Sequence, residues 1–204
     1  MKRIILITGG ARSGKSQYAE QMALSLSENP VYVATAHIWD EEFRQRVRKH
    51  QERRGPEWTN IEEEKLLSRH DLTGRVAVID CVTLWCTNYF YSQSVVGEAS
   101  KLCGNEIVGK ASKLCGNEIV GEASKLCSVD SALEALKAEF DKFTAHDATF
   151  IFVTNEIGMG GVSVNDVQRK FTDLQGWMNQ YVASKADEVI LMVSGIAVKV
   201  KSEE

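Results

Sequence analysis

Gly9-Gly10-Ala11-Arg12-Ser13-Gly14-Lys15-Ser16 follows the apolar run Arg3 to Thr8 and opens a segment, Lys15 to Ser27, in which Tyr18, Met22, Leu24 and Leu26 recur at roughly helical spacing. A G-x-x-x-x-G-K-S between a buried strand and a helix reads as a phosphate-binding loop. Its glycines let backbone N–H groups close around phosphate oxygens, and the helix N-terminus adds partial positive charge. Lys15 is expected to reach the β- and γ-phosphates, and the Ser16 hydroxyl to ligate Mg²⁺. A chance glycine-rich turn is the competing explanation, and the spacing and both flanks count against it.

Outward from this loop the chain alternates strand and helix signals. Val31 to Thr35 reads as a second strand, Asp40 to Arg54 as an exposed charged helix with Phe43 and Val47 at i, i+4, and Val76 to Asp80 as a third buried strand. Leu84 to Tyr91 begins another helix. Ser131 to Phe143 carries Leu133, Leu136, Phe140 and Phe143 on one helical face. Thr149 to Thr154 is a fourth strand, Asn165 to Ala186 a long helix and Glu188 to Val193 a fifth strand. Gly195 turns the chain into Ala197 to Lys201, which alternates enough for an antiparallel edge. The expected fold is α/β, a mostly parallel sheet with helices on both faces and an antiparallel C-terminal edge strand.

The composition narrows the functional classes. With 204 residues, 44 % hydrophobic and 25 % charged, the chain predicts one globular domain with room for an insertion. A net charge of −4 argues against a general nucleic-acid binder, which needs concentrated positive charge. The apolar run after Met1-Lys2-Arg3 is shorter than a secretory core, and no stretch approaches the ~20 apolar residues of a membrane span, so no stable membrane insertion is expected. Five cysteines, an odd number, point to a reducing, cytoplasmic setting. Only two prolines occur, Pro30 and Pro56, against the roughly ten that usual composition would supply.

Between Val95 and Asp130 the chain repeats itself in tandem: VVGEASKLCGNE, IVGKASKLCGNE, IVGEASKLCSVD. Twelve residues advance a helix face by about 120°, so one continuous helix would rotate its apolar stripe off any single core. Functional solenoid repeats run longer and fill the chain. Cys103, Cys115 and Cys127 share the repeat phase with no histidine near them and lack the close pairing of zinc ligands. The segment at about 95–130 therefore reads as a tandem expansion inserted in a single domain spanning 1–204.

Two further features carry chemistry. Val76-Ala77-Val78-Ile79-Asp80 ends in a carboxylate, as expected of a strand neighbouring the phosphate loop whose acid holds the metal or its water shell. The competing role for Asp80 is capping the next helix. From Arg44 to Arg54, six cations surround His50. By itself such a run is usually a solvated helix face. Beside a phosphate loop it gains a chemical meaning, because arginines neutralise phosphate while nearby positive charge keeps a histidine neutral and nucleophilic. These residues license a nucleoside-triphosphate site with Mg²⁺ and leave kinase, ATPase and switch GTPase open.

The motifs are jointly specific. Thr8 to Ser16, the Tyr32-Val33-Ala34-Thr35 strand with Asp40-Glu41-Glu42, the Arg46 to Trp58 block containing His50, and Ile79 to Trp85 resemble the bifunctional adenosylcobinamide kinase/adenosylcobinamide-phosphate guanylyltransferase family. So do Thr154-Asn155-Glu156-Ile157-Gly158-Met159-Gly160 and the tail from Arg169 to Gly195. The resemblance spans nearly all of the chain outside about 92–130. It implies a RecA-like P-loop NTPase fold, a propeller-shaped homotrimer and two activities. Adenosylcobinamide is phosphorylated with ATP or GTP, and its phosphate then receives GMP from GTP through a guanylyl-histidine. By the same resemblance His50 is the guanylylated residue and Lys15 its catalytic companion. The nucleotide contacts are Gly9, Gly10, Ala11, Arg12, Ser13, Gly14, Lys15, Ser16, Ala34, Thr35, Ala36, Gln51, Glu52, Arg53, Arg54, Glu62 and Asp80, with Ser16 and Asp80 on the metal. The chain departs from the family pattern in lacking a proline near Val162-Ser163 and in a less basic Arg169-Lys170-Phe171-Thr172.

The alternatives are a P-loop small-molecule kinase without guanylyl transfer and a non-enzymatic GTP-binding module. The latter is disfavoured because no N-K-x-D base-recognition motif occurs in the chain. Removing two of the three repeat copies, residues 95–118, is expected to leave thermal unfolding and nucleotide turnover close to the parent chain. A deletion variant that no longer folds would show that the repeat belongs to the core.

Overall fold

The structure is a computed structural model and describes residues 2–38, 41–52, 54–92 and 129–202. Seven strands form one sheet: β1 (Arg3–Gly9), β2 (Val31–Ala34), β3 (Thr59–Glu62), β4 (Val76–Asp80), β5 (Thr149–Val153), β6 (Glu188–Val193) and β7 (Ile196–Ser202). Their order across the sheet is β3-β2-β4-β5-β1-β6-β7. Every pairing is parallel except β6 with β7. The helices are α1 (Lys15–Leu26), α2 (Glu41–Glu52), α3 (Val82–Ser92), α4 (Val129–Phe143) and α5 (Asp166–Lys185). The repeat, with its three cysteines, lies outside the described residues up to position 128.

Side chains alternate across the sheet with the two-residue period of a strand, and this splits the core in two. Ile4, Leu6, Ala77, Ile79, Phe150 and Phe152 face α3, α4 and α5, meeting Trp85, Phe90, Leu136, Phe140, Phe143, Leu174, Met178 and Val182. Ile5, Ile7, Val78, Ile151 and Val153 face the other way, onto Ala19 and Ala23 of α1, with Tyr32 and Trp58 beside them. The central strands are apolar on both faces because both faces are covered, as the sequence pattern implies. Aromatic rings fill the larger face. Phe140 lies 5.1 Å from Phe152 and 5.8 Å from Tyr181, ring centre to ring centre.

Two expectations need correction. Asp80 is not on a strand neighbouring β1, because β5 lies between β1 and β4. The loop and the carboxylate therefore face each other across the carboxyl end of an intervening strand. The second correction is β3, an edge strand absent from the sequence reading. Thr59-Asn60-Ile61-Glu62 has one half-buried side chain, Ile61, and three exposed ones, so no apolar pattern marks it. Backbone pairing to β2 makes it a strand.

The ends of the elements follow local chemistry. Asn165 caps α5 through its side-chain oxygen, which accepts from the Gln168 N–H at 3.1 Å. Ser194 and Gly195 adopt φ of 51° and 87°, the left-handed pair that a two-residue hairpin between β6 and β7 requires. Cys81 and Cys86 are buried free thiols, and burial pushes the Cys81 thiol up to about 12.

Phe140→Ala should test the larger core. Removing a fully buried ring that packs on two others is expected to cost about 3–5 kcal/mol, measured by urea unfolding. A loss below about 1 kcal/mol would mean that this face of the sheet is not the packed core described.

Candidate functional site

Strand β1 delivers the chain to its carboxyl end, where Gly9 to Gly14 loop back into α1. Gly9 has φ 149°, and a Cβ there would lie 2.5 Å from the Met192 carbonyl oxygen and 2.9 Å from Ser13 Oγ, so the position excludes any side chain. Arg12 and Gly14 adopt φ of 58° and 93°, an unusual backbone for Arg12 that curls the loop tightly. The β6–β7 turn braces it, the Gly195 N–H donating to the Ser13 carbonyl at 3.0 Å.

Lys15 is buried at the first turn of α1, and its ammonium donates to the Gly10 carbonyl at 2.5 Å and to Ser13 Oγ at 3.4 Å. Burial holds that ammonium below the usual lysine range, opposed by the negative potential of Asp80 and Glu156. A cation partly stripped of water and fixed beneath a loop is suited to a phosphate chain, which would restore its solvation.

The loop forms one wall of a cavity of about 610 Å³. Ala11, Arg12, Ser13, Gly14, Lys15 and Ser16 line it from one side. Ala34, Ala36 and Glu62 line it from the ends of β2 and β3, Asp80 from β4, Val47 from α2, and Arg54 from just beyond α2. Thus most of the predicted nucleotide residues converge on one space. Among the rest, Gly9 and Gly10 shape the loop without lining the cavity. Glu52 is exposed on α2. Thr35 is fully buried, its hydroxyl accepting from the Cys81 N–H and donating to the Cys81 carbonyl, both at 2.8 Å. Arg53 lies outside the described residues, as do the side chains of His50 and Gln51; α2 carries the backbone of positions 50 and 51.

The lining includes residues that the sequence did not assign to the site, Tyr32 and Asn155 among them. Tyr32, from β2, donates its hydroxyl to Asp80 Oδ2 at 2.6 Å and lies under the Arg54 guanidinium, 3.6 Å from ring centre to Cζ. Burial, with the adjacent Asp80 charge, raises the phenol well above its ordinary range, so the hydroxyl remains a donor. Asn155, at the carboxyl end of β5, stands between loop and carboxylate. Its N–H and side-chain amide both donate to Thr83 Oγ1, at 3.0 and 3.3 Å. Asn155 had a positional signal, since it sits just past the carboxyl end of β5 beside β1, where open α/β sheets bind ligands; Tyr32 lies in mid-strand on β2, separated from β1 by β4 and β5, and had none.

Behind Asn155 lies a buried polar network. Gln175 donates its amide to Thr83 Oγ1 at 3.2 Å and also to the Asn155 carbonyl. Asn179 donates to that carbonyl at 3.0 Å and to Glu156 Oε1 at 3.2 Å, and the Thr8 hydroxyl donates to the same Glu156 oxygen at 2.5 Å. The loop's own strand is thereby tied to α5 and to the end of β5.

The site can be tested for a divalent cation by its donors. Among the described residues no three His, Cys, Asp or Glu side chains converge as a metal cage. The cavity does bring together the Ser16 hydroxyl and the Asp80 carboxylate, hard oxygen donors of the kind Mg²⁺ accepts in company with substrate phosphates. The residues fit a nucleotide-borne Mg²⁺. Arg54 adds a buried Nη1 with no partner among the described residues, its Nε being spent on Asn60 Oδ1 at 2.8 Å; a buried donor of this kind calls for an acceptor.

Comparison with known proteins finds similar chains. The family described as cobinamide kinase / cobinamide phosphate guanyltransferase matches residues 5–200. The bifunctional adenosylcobalamin biosynthesis protein CobU of Escherichia coli is 32 % identical over 206 residues, covering 97 % of this chain and 99 % of that protein. Its namesake in Salmonella typhimurium is 32 % identical over 202 residues with the same coverage. Among solved structures, a prototypical ATPase of the type III secretion system of pathogenic bacteria aligns with a TM-score of 0.49 and 10 % identity, over 97 % of this chain and 56 % of that one.

Thr83→Val keeps the shape of the residue and removes the oxygen that three donors share. It is expected to destabilise the fold by about 1–3 kcal/mol and to weaken nucleotide binding, read by chemical unfolding and by a fluorescent GTP analogue. An unfolding midpoint identical to the parent would show that the network contributes nothing.

Proposed function

The chain belongs to the cobinamide kinase / cobinamide phosphate guanyltransferase family, and from that premise we propose that it carries both activities in the cavity between the phosphate loop and α2. The observation that carries this reading is the shared lining. Lys15 and Ser16 from the loop, Asp80 from β4, and Val47 and Arg54 at α2 border the same space. Position 50 follows Val47 by three residues on one helix, a spacing that places the two on one helical face.

In the first reaction the hydroxyl of the cobinamide aminopropanol group attacks the γ-phosphorus of ATP or GTP, forming cobinamide phosphate and releasing the nucleoside diphosphate. Backbone N–H groups of the loop and Lys15 receive the charge that develops on the phosphate oxygens. Mg²⁺, held by Ser16, Asp80 and phosphate oxygens, would offset the same charge. In the second reaction the neutral His50 imidazole attacks the α-phosphorus of GTP. A P–N bond forms, the bond to the bridging oxygen breaks, and pyrophosphate leaves onto the loop and Lys15. The phosphate of the corrinoid then attacks the phosphoramidate, giving adenosylcobinamide-GDP and restoring the histidine.

The nucleotide contacts at Gly9 to Ser16, Ala34, Ala36, Gln51 to Arg54, Glu62 and Asp80 belong to this proposal; Thr35 supports them from inside the protein, its N–H donating to the Asp80 carbonyl at 3.2 Å and its carbonyl accepting from the Asn88 amide at 2.7 Å. So do the homotrimer, the cytoplasmic setting, and a single domain in which the repeat is an exposed insertion. Among the described residues no helix is long and apolar enough to cross a membrane. The outer strand β7 exposes Ile196, Val198 and Val200, apolar area of the sort a subunit contact covers.

Incubation with α-labelled and, separately, γ-labelled GTP distinguishes the readings. An acid-labile, alkali-stable α-label is expected on the parent protein and none on His50→Ala, which should retain measurable cobinamide phosphorylation. Lys15→Ala should lose both activities by at least ~100-fold. Phosphorylation without any α-label would leave a monofunctional kinase, and GTP binding without either activity would leave a binding module.

A further inference from the structure

Arg54 and Asp80 carry opposite charges into one cavity, and a single side chain touches both. The guanidinium lies on the face of Tyr32, 3.6 Å from the ring centre, while the phenol hydroxyl donates to Asp80 Oδ2 at 2.6 Å. The ring is itself fixed. Tyr32 is 4 % exposed, stands on β2 between β3 and β4, and meets Trp58 edge to face at 5.9 Å. Arg54 is held a second time by Asn60 on β3, through Nε, and its buried Nη1 has no partner among the described residues.

We infer that Tyr32 is the positioning residue for both ends of the nucleotide site: its hydroxyl sets the Asp80 carboxylate for the metal, and its ring sets the Arg54 guanidinium for the nucleotide. A hydrogen bond to one carboxylate oxygen fixes rotation about the Cβ–Cγ bond of Asp80, which a solvated aspartate would sample freely. Stacking fixes the plane of the guanidinium and so the direction of its free N–H groups. The ring also occupies the space between cation and carboxylate. Each charge meets a neutral aromatic surface or hydroxyl in place of the other, and both stay available to a ligand. Tyr32 reaches no phosphate in this scheme and acts only through its two neighbours.

This inference rests on the nucleotide-binding part of the function proposed above, and its test separates the two. The full chain is titrated with a fluorescent GTP analogue in EDTA and again at increasing Mg²⁺. Tyr32→Phe keeps the ring, the stack and the Trp58 contact. Its affinity in EDTA should stay within about two-fold of the parent, while its Mg²⁺ half-saturation rises roughly ten-fold, the size expected for losing a hydrogen bond to a charged group. Tyr32→Leu removes both contacts and should weaken binding in EDTA as well. In an Asp80→Asn background, Tyr32→Phe should change the Mg²⁺ dependence no further, a coupling that a merely structural role would not produce. Each variant is compared only after its thermal midpoint and circular dichroism match a folded chain. Should Tyr32→Phe destabilise the fold, the same titrations of parent, single and double variants are run at a lower temperature at which circular dichroism shows each of them fully folded. A parent that binds GTP while Tyr32→Phe keeps its Mg²⁺ half-saturation overturns this inference and leaves the proposed function standing. A parent that binds no GTP overturns both.

Discussion

The site depends on a close approach of two backbones. The Met192 carbonyl on β6 occupies the space that a Cβ at position 9 would need, and the β6–β7 turn donates a hydrogen bond to the loop it abuts. The phosphate loop is therefore clamped between its own helix and a hairpin made of residues nearly two hundred positions away. A loop left to its own entropy would lose conformational freedom worth about 1–2 kcal/mol per residue on binding. Here folding has already imposed that order, including the left-handed backbone at Arg12.

Order in the loop is passed on to the opposing wall through polar contacts rather than apolar ones. Thr83, Thr154, Asn155, Gln175 and Asn179 hydrogen-bond to one another in a largely buried space, and Glu156 binds both Asn179 and Thr8. Apolar packing at this place would stabilise the fold equally well, but it would tolerate small rotations. Hydrogen bonds with fixed donors and acceptors do not, and the strand between loop and carboxylate is where such rotation would misplace Asn155.

How far all this could be read from residues alone varies by element. The loop, the buried strands and α5 were legible because each carries its own local physics: a motif with steric reasons for every glycine, apolar runs covered on both faces, and an amphipathic helix with an Asn165 cap. β3 was not legible, because an edge strand of three exposed residues takes its identity from the backbone of β2. Asp80 was legible as a strand-terminal acid but not as one separated from β1 by β5, since strand order is a matter of which crossovers pack, not of local pattern. Thr35, expected at the nucleotide, spends its hydroxyl inside the protein on Cys81.

By itself the sequence determined that this chain carries a P-loop after its first strand, that its sheet is mostly parallel, and which family it resembles, because those properties are written in short-range spacing. Only the tertiary structure decided that Tyr32, an apolar-looking residue in a β2 strand, would touch both a cation and a carboxylate. Those three residues lie 22 and 26 positions apart in order along the chain, and nothing local relates them. Parallel pairing of β2 with β4 and with β3 brings them together, since strands 4.7–4.9 Å apart put distant residues at one edge.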